Sequence, residues 1–160
     1  MFLEPNYILD SIYDIDIIEL KDLNIHALFF DLDSTIMKSK SGKFAFRTLQ
    51  FINDLRTNFK VAIITNNKKR SYIKKVCSQT DIPVYSDAKK PDTKVLLKAC
   101  KDLNVYPEDV AMIGDRPLSD ILGGKKAGMM TILVDSISKN EESPIVRFVR
   151  FLERLSIKRI

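Results

Sequence analysis

Two aspartates separated by one residue, Asp31 and Asp33, directly follow an apolar run at 26–30. Far downstream another apolar run closes on Gly114-Asp115, with Asp120 five residues later. Between these pairs lie Thr65-Asn66-Asn67 and Lys89-Lys90-Pro91. Carboxylates at 31, 33, 115 and 120 gathered without a cation would repel one another, and a bound divalent metal resolves that repulsion. An all-oxygen ligand set favours Mg²⁺, which accepts one or two carboxylates, keeps several waters and takes further ligands from phosphate. The chemistry so implied is phosphoryl transfer. Lys90 would neutralise charge on the phosphoryl oxygens, while the Thr65 hydroxyl and loop amides donate hydrogen bonds to them. Asp31 is the candidate nucleophile, forming an aspartyl-phosphate. Asp33 is the candidate acid for the leaving alkoxide and base for the attacking water.

Such a site needs elements that bring its pieces to one edge. Runs rich in branched and aromatic residues at 26–30, 61–65, 82–85, 110–113 and 130–134 read as buried strands. Helical spacing predicts helices at about 44–58, 68–79, 92–103 and 119–127, with Asp92 and Ser119 as N-caps and Gly128 as a left-handed terminator. Alternating strand and helix argues for an α/β fold with helices on a five-stranded, mostly parallel sheet. In such sheets the binding crevice lies beyond the carboxyl ends of the strands, which is where each polar cluster falls. Neither of the first two connections between strands is long enough for a lid domain, so the site should be open.

Taken together, Asp31-Leu32-Asp33-Ser34-Thr35, Thr65-Asn66-Asn67, Lys90-Pro91 and Gly114-Asp115 with Asp120 resemble the four ordered motifs of the haloacid dehalogenase (HAD) superfamily. The resemblance covers roughly residues 25–135. It implies a Rossmann-like three-layer sandwich and Mg²⁺ held by Asp31, the Asp33 backbone carbonyl and Asp115, with Asp120 as ligand or support. It also implies a phosphoryl group held by Thr65 and Lys90, with Asn66 beside them. More closely the chain resembles the cap-less YqeG-type branch of subfamily IIIA, similar to phosphatidylglycerophosphate phosphatases. Ile121-Leu122-Gly123-Gly124 after the fourth motif and the Lys-Lys-Pro of the third carry that likeness. The departure is Ser34, where an Asn is usual.

Composition bounds the alternatives. The 160 residues, 45% apolar and 29% charged, suit one soluble domain, and 1–160 is read as such. One histidine, His26, and two cysteines, Cys77 and Cys100, exclude a zinc finger or a disulfide framework. The cysteines are expected to be small buried residues of separate helices in a reducing compartment. The glycines match neither dinucleotide nor P-loop spacing. The longest uncharged stretch is eight residues, too short to span a bilayer. An acidic start, with six acids and one lysine in residues 1–24, is unlike a secretory signal, so a cytoplasmic location is expected. That segment reads as a packing or dimer element.

Residues 145–160 place Arg147, Arg150, Arg154 and Lys158 on one helical face and apolar residues on the other. Such a helix either packs on the domain or lies peripherally on the inner face of an anionic membrane, which would suit a lipid phosphate substrate. Three readings therefore stand open: a lipid phosphatase, a phosphatase of soluble sugar phosphates, nucleotides or phosphoproteins, and a non-catalytic membrane- or RNA-binding module. No nucleic-acid partner is expected, because no aromatic stacking motif is evident.

Overall fold

A computed structural model describes residues 4–137; the basic helix expected at 143–160 lies outside them. Six strands form one sheet in the order β1-β6-β5-β2-β3-β4, with every ladder parallel. They are β1 (Tyr7–Leu9), β2 (Ala27–Phe30), β3 (Lys60–Ile64), β4 (Val84–Tyr85), β5 (Val110–Gly114) and β6 (Met130–Val134). The helices are α1 (Ile17–Asp22), α2 (Phe46–Leu55), α3 (Arg70–Cys77), α4 (Lys94–Asp102) and α5 (Leu122–Ala127). The five expected strands are present. The sixth, β1, comes from the acidic N-terminal segment, whose Tyr7, Ile8 and Leu9 pair with Ile132, Leu133 and Val134.

Strand side chains alternate between two apolar layers, as the period of two requires. Leu28, Phe30, Val61, Ile63, Ala111 and Ile113 face a core shared with Ile52 and Leu55 of α2 and Val76 of α3. Ala27, Phe29, Ala62, Ile64, Val110 and Met112 face a second core, with Leu96, Ala99 and Cys100 of α4. The sheet thus has helices on both faces, and a strand buried on both sides reads as a continuous apolar run because it has no solvent face.

Several local expectations shift. Strand β4 is two residues long because Pro83 has no N–H for the ladder and only accepts, from Ile63 N at 2.9 Å. Asp92 sits one position before the N-cap Thr93, yet its carboxylate accepts from Lys94 N at 2.9 Å. Ser119 is not an N-cap. A wide π-type turn, Pro117–Ile121, precedes α5, with the Asp120 amide bonded to Arg116 O at 2.8 Å. Cys77 is exposed, at the end of α3, whereas Cys100 is buried as expected; both are free thiols. Gly128 ends α5 at φ 86°, the left-handed conformation expected there.

Candidate active site

The carboxyl edge of the sheet collects the four motifs. Asp31 extends β2 by one residue, its N–H donating to Ile113 O at 2.9 Å, so its carboxylate leaves the sheet beside the end of β5. Thr65 continues β3 through a bond to Tyr85 O, and Asp115 follows Gly114 at the end of β5. Together with Asp33, Asn66, Lys90 and Arg116 they line a cleft of about 310 Å³.

The centre of the cleft is a buried charge cluster. Lys90, whose side chain is 1% exposed, donates to Asp31 Oδ1 at 2.9 Å, Asp120 Oδ1 at 2.7 Å and the Ile64 carbonyl at 2.7 Å, using all three ammonium protons. Burial works to lower the Lys90 pKa, but the carboxylates of Asp120 and Asp31 outweigh it and hold it above the ordinary lysine value. Asp120 is pushed up to about 6, first by burial and then by the charge of Asp31, against the opposing pull of Lys90. Its second oxygen accepts from Arg116 N at 3.1 Å, a bond that the wide turn after β5 makes available. The approach of Asp120 to β5 also requires Gly114, since a Cβ there would collide with the Asp120 carboxylate.

One ligand oxygen each from Asp31, Asp115 and Asp120 lies within 4.8 Å of the other two. Three carboxylates against one ammonium leave two negative charges in a buried setting, which is the demand a divalent cation meets. The donor set is all oxygen and fits Mg²⁺. The Asp33 carboxylate stands outside this group. It faces the loop 34–45, where its Oδ1 accepts from Tyr72 Oη at 2.5 Å and from Lys40 N at 3.1 Å.

Three roles were not visible in the local sequence. Thr35, fully buried, donates to Asp115 Oδ1 at 3.0 Å and to Asp31 Oδ2 at 3.4 Å, bridging two motifs. Its signal was its place at the end of the first motif. Asn66 clasps the main chain of Lys90 in both directions, donating to its carbonyl at 3.0 Å and accepting from its N–H at 2.7 Å. Tyr72, from α3, reaches Asp33 across 39 residues and also accepts from Gly42 N at 3.2 Å. Nothing near Tyr72 in the chain marks it. Ser34 adopts φ 70°, a left-handed conformation that asparagine tolerates better than serine, which gives the usual Asn at this position a physical reason.

Over 154 residues the chain is 30% identical to the Probable phosphatase YqeG of Bacillus subtilis, covering 96% of this chain and 88% of that protein. The chain belongs to the haloacid dehalogenase superfamily. A HAD-hydrolase-like family model matches residues 88–144, from the third motif through β6. Phosphatidylglycerophosphate phosphatase 1 of Arabidopsis thaliana is 45% identical over 59 residues, a match that spans 37% of this chain and only 17% of that protein. A HAD family enzyme of Bacteroides thetaiotaomicron, solved with magnesium and inorganic phosphate, superposes with a TM-score of 0.58 at 13% identity, over 71% of this chain and 96% of its own. Such HAD structures bear out the expected fold, and the family makes this protein a phosphatase of the HAD type.

Proposed function

We propose that this HAD phosphatase is a Mg²⁺-dependent phosphomonoesterase that works through an aspartyl-phosphate on Asp31 and acts on a lipid phosphate, phosphatidylglycerophosphate, releasing phosphatidylglycerol. The observation that carries the chemistry is the Asp31 carboxylate held between Lys90 and Thr35 at the mouth of an acidic cluster. The partial likeness to a phosphatidylglycerophosphate phosphatase supports the substrate.

Mg²⁺, when bound by Asp31, the Asp33 carbonyl, Asp115 and Asp120, supplies charge neutralisation for the phosphoryl oxygens. The protein does the rest. Lys90 and Thr35 fix the Asp31 carboxylate so that one oxygen faces the phosphorus, and the Asp31–phosphorus bond forms as the bond to the leaving oxygen breaks. Asp33 gives its proton to that departing alkoxide. It then takes one from a water, whose oxygen attacks the phosphorus and returns Asp31 as a free carboxylate. Thr65, whose hydroxyl already accepts from Asn67 N at 3.1 Å, sits on the cleft wall to bind phosphoryl oxygens, and Asn66 holds the Lys90 main chain in place.

The test is phosphate release from phosphatidylglycerophosphate in anionic vesicles, with and without Mg²⁺, beside a panel of soluble sugar phosphates and nucleotides, and with Asp31→Asn as control. Mg²⁺-dependent turnover that favours the lipid and vanishes in the variant is the expected result. Turnover confined to a soluble phosphate would keep the mechanism and discard the lipid.

A further inference from the structure

Charge in this protein is segregated along the chain. Residues 34–80 carry eleven lysines and arginines against the single acid Asp54, although the whole chain has a formal charge of only +5. This stretch includes the loop 34–45 over the active-site cleft and helix α3 beside it, joined by Lys75 Nζ donating to Ser41 O at 3.3 Å and, just past the end of the helix, by Phe44 N donating to Gln79 Oε1 at 2.9 Å. Arg56 is paired with Asp81, but Lys43, Lys68, Lys69, Arg70 and Lys74 have no acidic partner among the described residues.

The same loop forms one wall of an apolar groove. Ile36, Met37, Phe44, Ala45 and Ile137 line about 370 Å³, with Lys38 and Lys43 at its rim. Beside it, at the first residue of α2, Phe46 is 81% exposed. The catalytic cleft uses Ser39 and Lys40 of that loop and the groove uses Lys38 and Ser41, so the two cavities adjoin one short segment.

We propose that this face, the loop 36–45 with Phe46 and the basic start of α3, is a docking surface for an anionic lipid bilayer. A bilayer is favoured because the face joins both features an anionic interface recognises, a field of cations that includes Lys43, Lys68 and Lys69 for headgroup phosphates and an apolar groove with an exposed phenylalanine for acyl chains. A single-stranded nucleic acid would need a row of stacking rings, and among the described residues Phe46 is the one exposed ring on this face. Docked in this way, the protein brings its cleft against the headgroup layer, and the bilayer covers a site over which no lid domain lies among the described residues. The surface rests on the lipid reading of the active site and says where on the molecule that lipid is met.

The experiment is sedimentation of the full chain with vesicles of phosphatidylglycerol and phosphatidylcholine, and with phosphatidylcholine alone. Lys43→Glu with Lys68→Glu is expected to weaken binding to the anionic vesicles about thirtyfold, at roughly one headgroup interaction lost per lysine. Phe46→Ser is expected to weaken it about tenfold through lost apolar burial. Lys101→Glu with Lys126→Glu makes the same change in net charge at the ends of α4 and α5, on the opposite edge of the sheet, and is expected to leave binding unchanged. Melting temperature and hydrolysis of p-nitrophenyl phosphate should match wild type in all variants, which shows that they are folded. Equal weakening by the two double variants, equal binding to neutral vesicles, or binding to a single-stranded RNA oligonucleotide but to no vesicle would each overturn the proposal. Hydrolysis of the lipid in detergent micelles separates it from the substrate reading. Micellar turnover without vesicle docking removes the docking surface alone, whereas face-dependent docking without micellar turnover removes the lipid substrate alone.

Discussion

The buried ion cluster at the carboxyl edge and the exposed ion pairs on the helices have nearly the same geometry. Lys90 reaches Asp31 and Asp120 at 2.9 and 2.7 Å; Arg56 reaches Asp81 at 2.6 Å, and Lys98 reaches Asp102 at 2.9 Å. Their surroundings set them apart. Around Lys90 burial weakens the screening of the charges, so the ammonium and its carboxylates depend on one another. Around Arg56 and Lys98, solvent supplies what a lost partner would withhold. Distance alone therefore says little about what an ion pair does, and burial decides whether it is a working part.

The largest effect is expected at the nucleophile. Asp31→Asn is expected to lower kcat by at least about a thousandfold, measured as Mg²⁺-dependent phosphate release, while leaving the protein folded. A variant with residual turnover near wild type would remove Asp31 from the chemistry. Next in size, Lys90→Met leaves the buried Asp120 and the neighbouring Asp31 without their cation and should cost about 3–5 kcal/mol in urea unfolding of the metal-free protein. A loss no larger than that at the exposed pairs would mean that burial does not set the strength of these ion pairs.

The buried cluster also sets a pH dependence of stability. Asp120 holds its proton more tightly folded than unfolded, so the folded state binds more protons between about pH 4 and pH 6. Stability contributed by this group falls as pH rises through that window. In EDTA, the melting temperature of wild type relative to Asp120→Asn should therefore drop from pH 4 to pH 6, and a flat difference would contradict the burial of the Asp120 carboxylate beside Asp31.

Tyr72→Phe removes one hydrogen bond to the Asp33 carboxylate, and kcat/KM for an alkyl phosphate should fall about tenfold. An aryl phosphate, whose leaving group needs no proton, should be affected less; equal losses would show that Tyr72 only supports the fold. Smallest of all, Arg56→Ala and Lys98→Ala should leave the urea midpoint unchanged within error, because Asp81 and Asp102 stay open to solvent without them.

Much of the site was legible from the chain. Asp31, Asp33, Thr65, Lys90, Asp115 and Asp120 all come to one sheet edge, because strand ends in a parallel α/β fold converge there whatever the intervening helices do. Less legible were the contacts made by residues with no motif of their own. Tyr72 lies on a helix whose pattern records only which face is buried, and its hydroxyl finds Asp33 through the packing of α3 against the loop 34–45. Strand β1 was hidden for another reason: three half-buried residues at a sheet edge lack the continuous apolar run of the central strands.

By itself the sequence determined the layer architecture, the order of the motifs and the residue types that carry the charge. Period, turn chemistry and spacing act over a few residues and are written locally. Tertiary structure alone decided which oxygen of Asp120 meets Lys90, that Thr35 joins Asp115 to Asp31, and that Lys40, one of eleven cations along residues 34–80, lines the cleft. Those outcomes depend on distances between segments far apart in the chain, which exist only once the two cores have closed on the sheet.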